Sequence, residues 1–189
     1  MLEERGVNAT SLWLRMMPDE YVASITEIDL DRLWKDGRRL ILTDLDNTLV
    51  PWNHPEVPDD LTIWLKKAEE TGFRVCIVSN NKGPRVHAFA EAAGVPYLAA
   101  ARKPKPDAFL EGMRRFSVSP AATVMVGDQL LTDVRGGNRA GLYTILVLPI
   151  HPREWWGTRL VRRFERVVMR VLVRRGLRVP PGPNRENGS

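Results

Sequence analysis

A chain of 189 residues, 43% of them hydrophobic, has the material for one layered core of helix and sheet with short extensions. Its single cysteine, Cys76, excludes an internal disulfide framework or a thiolate metal site, and no apolar run approaches the ~18 residues of a membrane span. The formal charge of +5 is uneven: ten Arg against three acids make residues 151–189 +7, the remainder is −2, and the basicity therefore belongs to the tail.

The acidic start Met1-Leu2-Glu3-Glu4 lacks the charged-then-apolar order of a secretory signal, so a cytoplasmic protein is expected. Residues 1–26, with the cluster Leu12-Trp13-Leu14 and Pro18, read as a peripheral extension. From residue 27 the pattern becomes regular. Asp29 caps a short helix through Leu30, Leu33 and Trp34 that Gly37 ends. Leu40-Ile41-Leu42-Thr43 stays apolar without clear alternation, as a central parallel strand covered on both faces requires. Asp44 falls at its carboxyl end, and Asp46, two residues on in extended backbone, can face the same site.

Pro51–Pro58 is a loop, and Asp59 or Asp60 starts a helix whose stripe of Leu61, Trp64, Leu65 and Ala68 is closed by Gly72. Val75–Val78 is a second strand, followed by Ser79-Asn80-Asn81 and a helix from Pro84 to Ala93 that Gly94 terminates. A short third strand at Pro96–Ala99 leads into Arg102-Lys103-Pro104-Lys105-Pro106, with Asp107 capping the next helix. Thr123–Val126 is a fourth strand running into Gly127-Asp128; Leu130–Ala140 is helical up to Gly141, and Thr144–Leu148 is a fifth strand. Strands alternating with helices at this spacing imply an α/β fold, a doubly wound parallel sheet of about five strands.

Every polar motif follows a strand: Asp44 and Asp46 the first, Ser79 the second, Lys103 the third, Asp128 the fourth. A parallel sheet puts all carboxyl ends on one edge, so these residues gather in one crevice. Three carboxylates, a hydroxyl and an ammonium suit a phosphoryl group with Mg²⁺, a small hard cation that prefers carboxylate, water and phosphate oxygens. His54, His87 and His151 are scattered and make no metal cluster.

Asp44-Leu45-Asp46-Asn47-Thr48, Ser79-Asn80, Lys103-Pro104 and the run Gly127 to Asp133 resemble the four motifs of the haloacid dehalogenase (HAD) superfamily of phosphatases. More narrowly, Gly127-Asp128-Gln129-Leu130-Leu131-Thr132-Asp133, the following Gly136 to Gly141 and Ser79-Asn80-Asn81 resemble the YqeG-type HAD-IIIA phosphatases, a group similar to mitochondrial phosphatidylglycerophosphate phosphatases. The resemblance spans residues 18 to 178. It implies a HAD-like Rossmannoid core and a phosphomonoesterase in which Asp44 is the nucleophile and Asp46 the general acid and base. Ser79 then donates to a phosphoryl oxygen and Lys103 neutralises charge, while Thr48 and Asn80 lie on the substrate side, Thr48 bracing the loop; Arg102 either binds a substrate phosphate or is a solvated surface arginine, the latter reading being favoured. Mg²⁺ is then held by Asp44, the Asp46 carbonyl and Asp128, with Asp133 auxiliary.

Members of that superfamily often carry a lid domain between the first and second motifs or the second and third. Only a loop and one helix fit between Val50 and Arg74, and a helix and a short strand between Lys82 and Ala101. A capless, open site follows, which favours a large or surface-presented phosphate ester. The chain therefore divides into the 1–26 extension, a 27–150 core, a 151–179 basic helical tail packed on or beside it, and a disordered 180–189.

In the tail, Leu160, Phe164, Val167, Val168, Val171 and Leu172 fall at helical spacing, and Arg159, Arg162, Arg163, Arg166, Arg170 and Arg174 fill the other side. Trp155-Trp156 precede this cationic amphipathic helix. It suits peripheral contact with anionic phospholipid at the inner membrane face through residues 155–175, or its apolar face packs on the core. The first alternative matches phosphatidylglycerophosphate as substrate. A soluble phosphatase for nucleotide, sugar or protein phosphates, and a nucleic-acid-binding module on the same scaffold, are the rival readings, nucleic acid being disfavoured by the complete catalytic set.

Overall fold

The computed structural model describes residue 13 and residues 15–52, 54–151 and 156–181, with the backbone alone for 156–164. Six parallel strands form one sheet: β1 (Glu20–Val22), β2 (Leu40–Thr43), β3 (Arg74–Val78), β4 (Tyr97–Leu98), β5 (Thr123–Gly127) and β6 (Tyr143–Val147). Their order across it is β1-β6-β5-β2-β3-β4. Between them run α1 (Leu30–Lys35), α2 (Asp59–Thr71), α3 (Pro84–Ala92), α4 (Asp107–Phe116) and α5 (Arg135–Arg139), and α6 (Trp156–Arg174) closes the fold.

Alternate strand residues serve opposite faces. Ile41, Ile77 and Val126 pack with Leu33, Trp64 and Phe89 of α1, α2 and α3. Leu40, Leu42, Cys76 and Met125 pack with Phe109 and Met113 of α4. Because both faces are covered, β2 is buried at every residue and reads as an unbroken apolar run. From β2 the chain steps outward to β3 and β4, then returns through α4 to β5 on the other side of β2 and on to β6. The direction of winding thus reverses between β2 and β5. At such a switch the loops leaving the strand ends diverge and open a crevice.

Helix boundaries follow local chemistry. The Asp29 carboxylate accepts from the Arg32 amide and caps α1. The α4 segment starts otherwise than expected: Pro106 occupies the capping position and Asp107 is the first helical residue, where its charge meets the helix N-terminus without a capping bond. The expected helix over Leu130–Ala140 is a π-turn at Leu130–Val134 followed by the short α5. Gly136 lets α5 approach closely, since a Cβ there would stand 2.6 Å from the Phe109 ring.

The sixth strand comes from the segment read as an N-terminal extension: Glu20, Tyr21 and Val22 pair with Ile145, Leu146 and Val147. Three residues with two charges or hydroxyls carry too little periodicity to announce a strand. Leu12 and Leu14, Trp155, the side chains of 156–164 and the tail beyond 181 lie outside the described residues. In the described half of α6, Val168 and Leu172 are fully buried against Met16, Leu130, Val134 and Leu146. The buried Glu165 accepts from the Leu131 amide at 3.2 Å, which ties α6 to the loop after β5.

Candidate active site

The loop after β2 is fixed by backbone bonds before any ligand is considered. The Asp44 amide donates to the Val126 carbonyl at 2.9 Å, carrying the β2–β5 ladder one residue past the strand. Leu45 then turns into the core, and its carbonyl accepts from both Leu49 and Val50. Asn47, at φ +63°, donates its amide to the Val50 carbonyl at 2.7 Å, and its own carbonyl accepts from Ile150 at 3.1 Å. Thr48 is buried inside this turn, its hydroxyl without a partner among the described residues. The loop therefore presents Asp44 and Asp46 from a closed, stitched turn.

Around Asp44 the sheet edge assembles a charged cluster. The Lys103 ammonium reaches Asp44 Oδ1 at 2.8 Å and Asp133 Oδ1 at 2.7 Å. Its backbone is clamped by Asn80, whose Oδ1 accepts from the Lys103 amide at 2.6 Å and whose Nδ2 donates to the Lys103 carbonyl at 3.1 Å. Both ends of the Asn80 amide are thus engaged with the chain rather than directed at a substrate. Asp133 is also held through Oδ2, which accepts from the Gln129 amide at 3.1 Å. Gly127 makes room for it: a Cβ there would lie 2.3 Å from the Asp133 carboxyl.

One oxygen from each of the buried Asp44, Asp128 and Asp133 lies within 4.8 Å of the others. Burial works to lower the Lys103 pKa, but Asp133 and Asp44 more than reverse it and hold the ammonium above the ordinary lysine range. Burial also raises Asp133, with Lys103 opposing and Asp44 adding to the rise. Both shifts run upward, as in a pocket with more negative than positive charge. A divalent cation fits that deficit, and three carboxylates are the hard oxygen donors such an ion takes.

Asp46 sits apart from this cluster. Its Oδ1 accepts from Arg85 Nη1 at 2.5 Å, and the Asn81 side chain is a further donor to it. Its pKa is raised, foremost by burial and also by Asp44, against the lowering influence of Arg85. Ser79 is buried at the end of β3; its Oγ accepts from the Asn81 amide at 3.1 Å, leaving the hydroxyl proton to donate elsewhere. Arg102 is exposed in a left-handed turn, φ +56°, outside the buried cluster, although it precedes Lys103 in the chain. The residue that sequence reasoning missed is Arg85. Its signal was positional: it is the second residue of α3, directly after the Ser79-Asn80-Asn81 loop, so it starts on the same edge as the motifs.

Chemically, the crevice offers a carboxylate backed by an ammonium, a cation-binding group of acids, a hydroxyl donor and a separate carboxyl with raised proton affinity. That set can attack, stabilise and protonate a phosphate ester. Among the described residues no inserted domain stands over it: between β2 and β3 there is a loop and α2, and between β3 and β4 only α3.

The chain is also similar to known proteins. The family model described as HAD-hydrolase-like matches residues 100–149. The chain is 42% identical over 160 residues to the probable phosphatase YqeG of Bacillus subtilis, covering 85% of this chain and 93% of that protein. It is 27% identical to phosphatidylglycerophosphate phosphatase 1 (chloroplastic/mitochondrial) of Arabidopsis thaliana, over 86% of this chain but only 50% of that protein. Among solved structures it matches a HAD phosphatase from Thermococcus onnurineus with a TM-score of 0.44 and 26% identity, over 53% of this chain and 51% of that one.

Proposed function

The chain belongs to the YqeG-type phosphatases of the HAD superfamily, and from that premise we propose that it hydrolyses phosphatidylglycerophosphate or a related anionic phospholipid through an aspartyl-phosphate. The observation that carries the chemistry is the Lys103 ammonium shared between Asp44 and Asp133 beside Asp128. In this reading an Asp44 oxygen attacks phosphorus and the bond to the leaving alcohol breaks. Asp46, protonated beforehand, gives its proton to the departing oxygen. Asp46 then takes a proton from water as that water attacks the phosphoryl-Asp44, which returns both carboxyls to their starting forms. Ser79 donates to a phosphoryl oxygen, and Lys103 limits repulsion between an anionic nucleophile and an anionic ester. Thr48 braces the catalytic turn, and Arg102 meets the substrate at the open rim. Asp44, Asp128 and the Asp46 carbonyl, with Asp133 auxiliary, would hold Mg²⁺, which supplies further charge neutralisation when bound.

The lipid assignment is supported by the similarity to the Arabidopsis enzyme and by the open crevice, which admits a headgroup presented at a surface. No helix among the described residues is long and apolar enough to cross a membrane. Peripheral contact at the inner membrane face then rests on the exposed Arg166, Arg170 and Arg174 of α6. A second reading, a phosphatase for soluble esters, is favoured by the burial of Val168 and Leu172, which gives the apolar face of α6 a partner without lipid. Phosphate release from phosphatidylglycerophosphate in mixed micelles, set against nucleotide, sugar and glycerol phosphates, decides between them. The lipid reading predicts the highest kcat/KM for the micellar ester; equal or higher values for a soluble ester contradict it.

A further inference from the structure

We propose that Arg85 is a positioning residue for Asp46, fixing the rotamer from which that carboxyl exchanges its proton with the leaving group. The inference rests on the reading of Asp46 as acid and base, and it extends that reading to a residue outside the four motifs. Arg85 belongs to a rigid element, since Val86, Phe89 and Ala90 lock the next turns of α3 into the core. Asp46 belongs to a loop. Backbone bonds hold that loop's path, but they leave the Asp46 side-chain torsions to be set by side-chain partners. The strongest partner is the Arg85 guanidinium at 2.5 Å, with the Asn81 side chain beside it.

The contact is selective in a way that suits an acid. Arg85 Nη1 engages Oδ1 alone rather than gripping both oxygens, and a carboxyl held through one oxygen can carry its transferable proton on the other. Nη2 lies 3.5 Å from the His54 carbonyl, so the same guanidinium spans from α3 to the loop that follows the catalytic turn. Arg also has a geometric advantage over Lys here, because its planar fork reaches two acceptors on separate segments at once. A purely structural ion pair near the surface would contribute little to stability. Its value lies in orientation, where a misplacement of about 1 Å costs roughly a hundredfold in rate.

The test compares two esters that differ in their need for a proton. An alkyl phosphate leaves poorly and requires the acid; an aryl phosphate such as p-nitrophenyl phosphate leaves readily. Arg85→Ala is expected to lower kcat/KM, which reports transfer of the phosphoryl group to Asp44, by roughly 10- to 100-fold on the alkyl ester and by a much smaller factor on the aryl ester. Arg85→Lys should restore part of the alkyl rate. Adding Arg85→Ala to Asp46→Asn should cost little more, because a residue acting through Asp46 has nothing left to position. Equal losses on both esters or full additivity with Asp46→Asn overturns the proposal. Asp46→Asn alone separates the two failures: if it shows no preference for the aryl ester the acid assignment itself is wrong, whereas a preference there without one in Arg85→Ala removes only the role of Arg85.

Discussion

Asp44 and Asp46 are two residues apart, yet they occupy different surroundings. Asp44 joins Lys103, Asp128 and Asp133 in a pocket where the Lys103 and Asp133 side chains are 2% and 1% exposed, drawn from the ends of β2, β5 and the loop after β4. Asp46 pairs with Arg85 nearer the surface, at 19% and 21% exposure. The inner cluster is charge-dense, multiply bonded and buried, as befits groups that must not move while a phosphoryl group is transferred. The outer pair is reachable by water, as the proposed exchange of protons with an alcohol and then with water requires. In the proposed mechanism one dipeptide spacing thus separates electrostatics from proton traffic.

The largest expected effect breaks the inner region. Asp44→Asn keeps the size of the side chain but removes the attacking oxygen's charge, and turnover should fall by roughly 10³-fold or more on every ester, measured as phosphate release. A loss confined to poor leaving groups would make the two regions alike. Gly127→Ala attacks the same region through packing: the new Cβ, 2.3 Å from the Asp133 carboxyl, displaces a residue that Lys103 and Gln129 both hold. Thermal unfolding should report a loss of about 1–3 kcal/mol, and turnover should drop with it.

The outer region responds to pH. Burial raises the Asp46 pKa, so the protonated acid persists to higher pH than for an ordinary aspartate, and kcat/KM on an alkyl ester should fall as pH rises through that value. Arg85 lowers the Asp46 pKa, so Arg85→Ala should move this limb upward while reducing the plateau. A limb that Asp46→Asn leaves in place would assign it to another group. The smallest effect on chemistry belongs to α6. Arg166, Arg170 and Arg174 are exposed, and replacing all three by Gln should leave soluble-ester turnover and folding nearly unchanged. Affinity for anionic vesicles should weaken by up to about 1 kcal/mol per charge, and less at high salt, as read by co-sedimentation. Vesicle binding that ignores the three changes would favour the soluble-ester reading.

Much of this was legible in the sequence because parallel topology converts strand-end residues into neighbours. Asp44, Ser79, Lys103 and Asp128 each follow an apolar run, and one sheet edge collects them whatever the loop details. Three things were not legible, for separate reasons. Strand β1 pairs along three residues only, too few for a period to show. The family resemblance places Asn80 on the substrate side, but its amide is engaged with the Lys103 main chain, a contact set by the approach of two loops 23 residues apart. Arg85 starts a helix and looks like any surface arginine until the β2 and β3 loops are side by side. Side-chain pairings between loops depend on three-dimensional approach, and a linear pattern does not encode them.

The covalent step through Asp44 is tested most directly by acid-quenching the enzyme during steady-state turnover of p-nitrophenyl phosphate and mapping phosphorylated peptides by mass spectrometry. The predicted result is a phosphoryl adduct on Asp44, more abundant in Asp46→Asn, where attack of water on the adduct lacks its base, and absent from Asp44→Asn. An enzyme that turns over with no adduct on Asp44 in either background, or one whose adduct survives Asp44→Asn, would contradict the assignment.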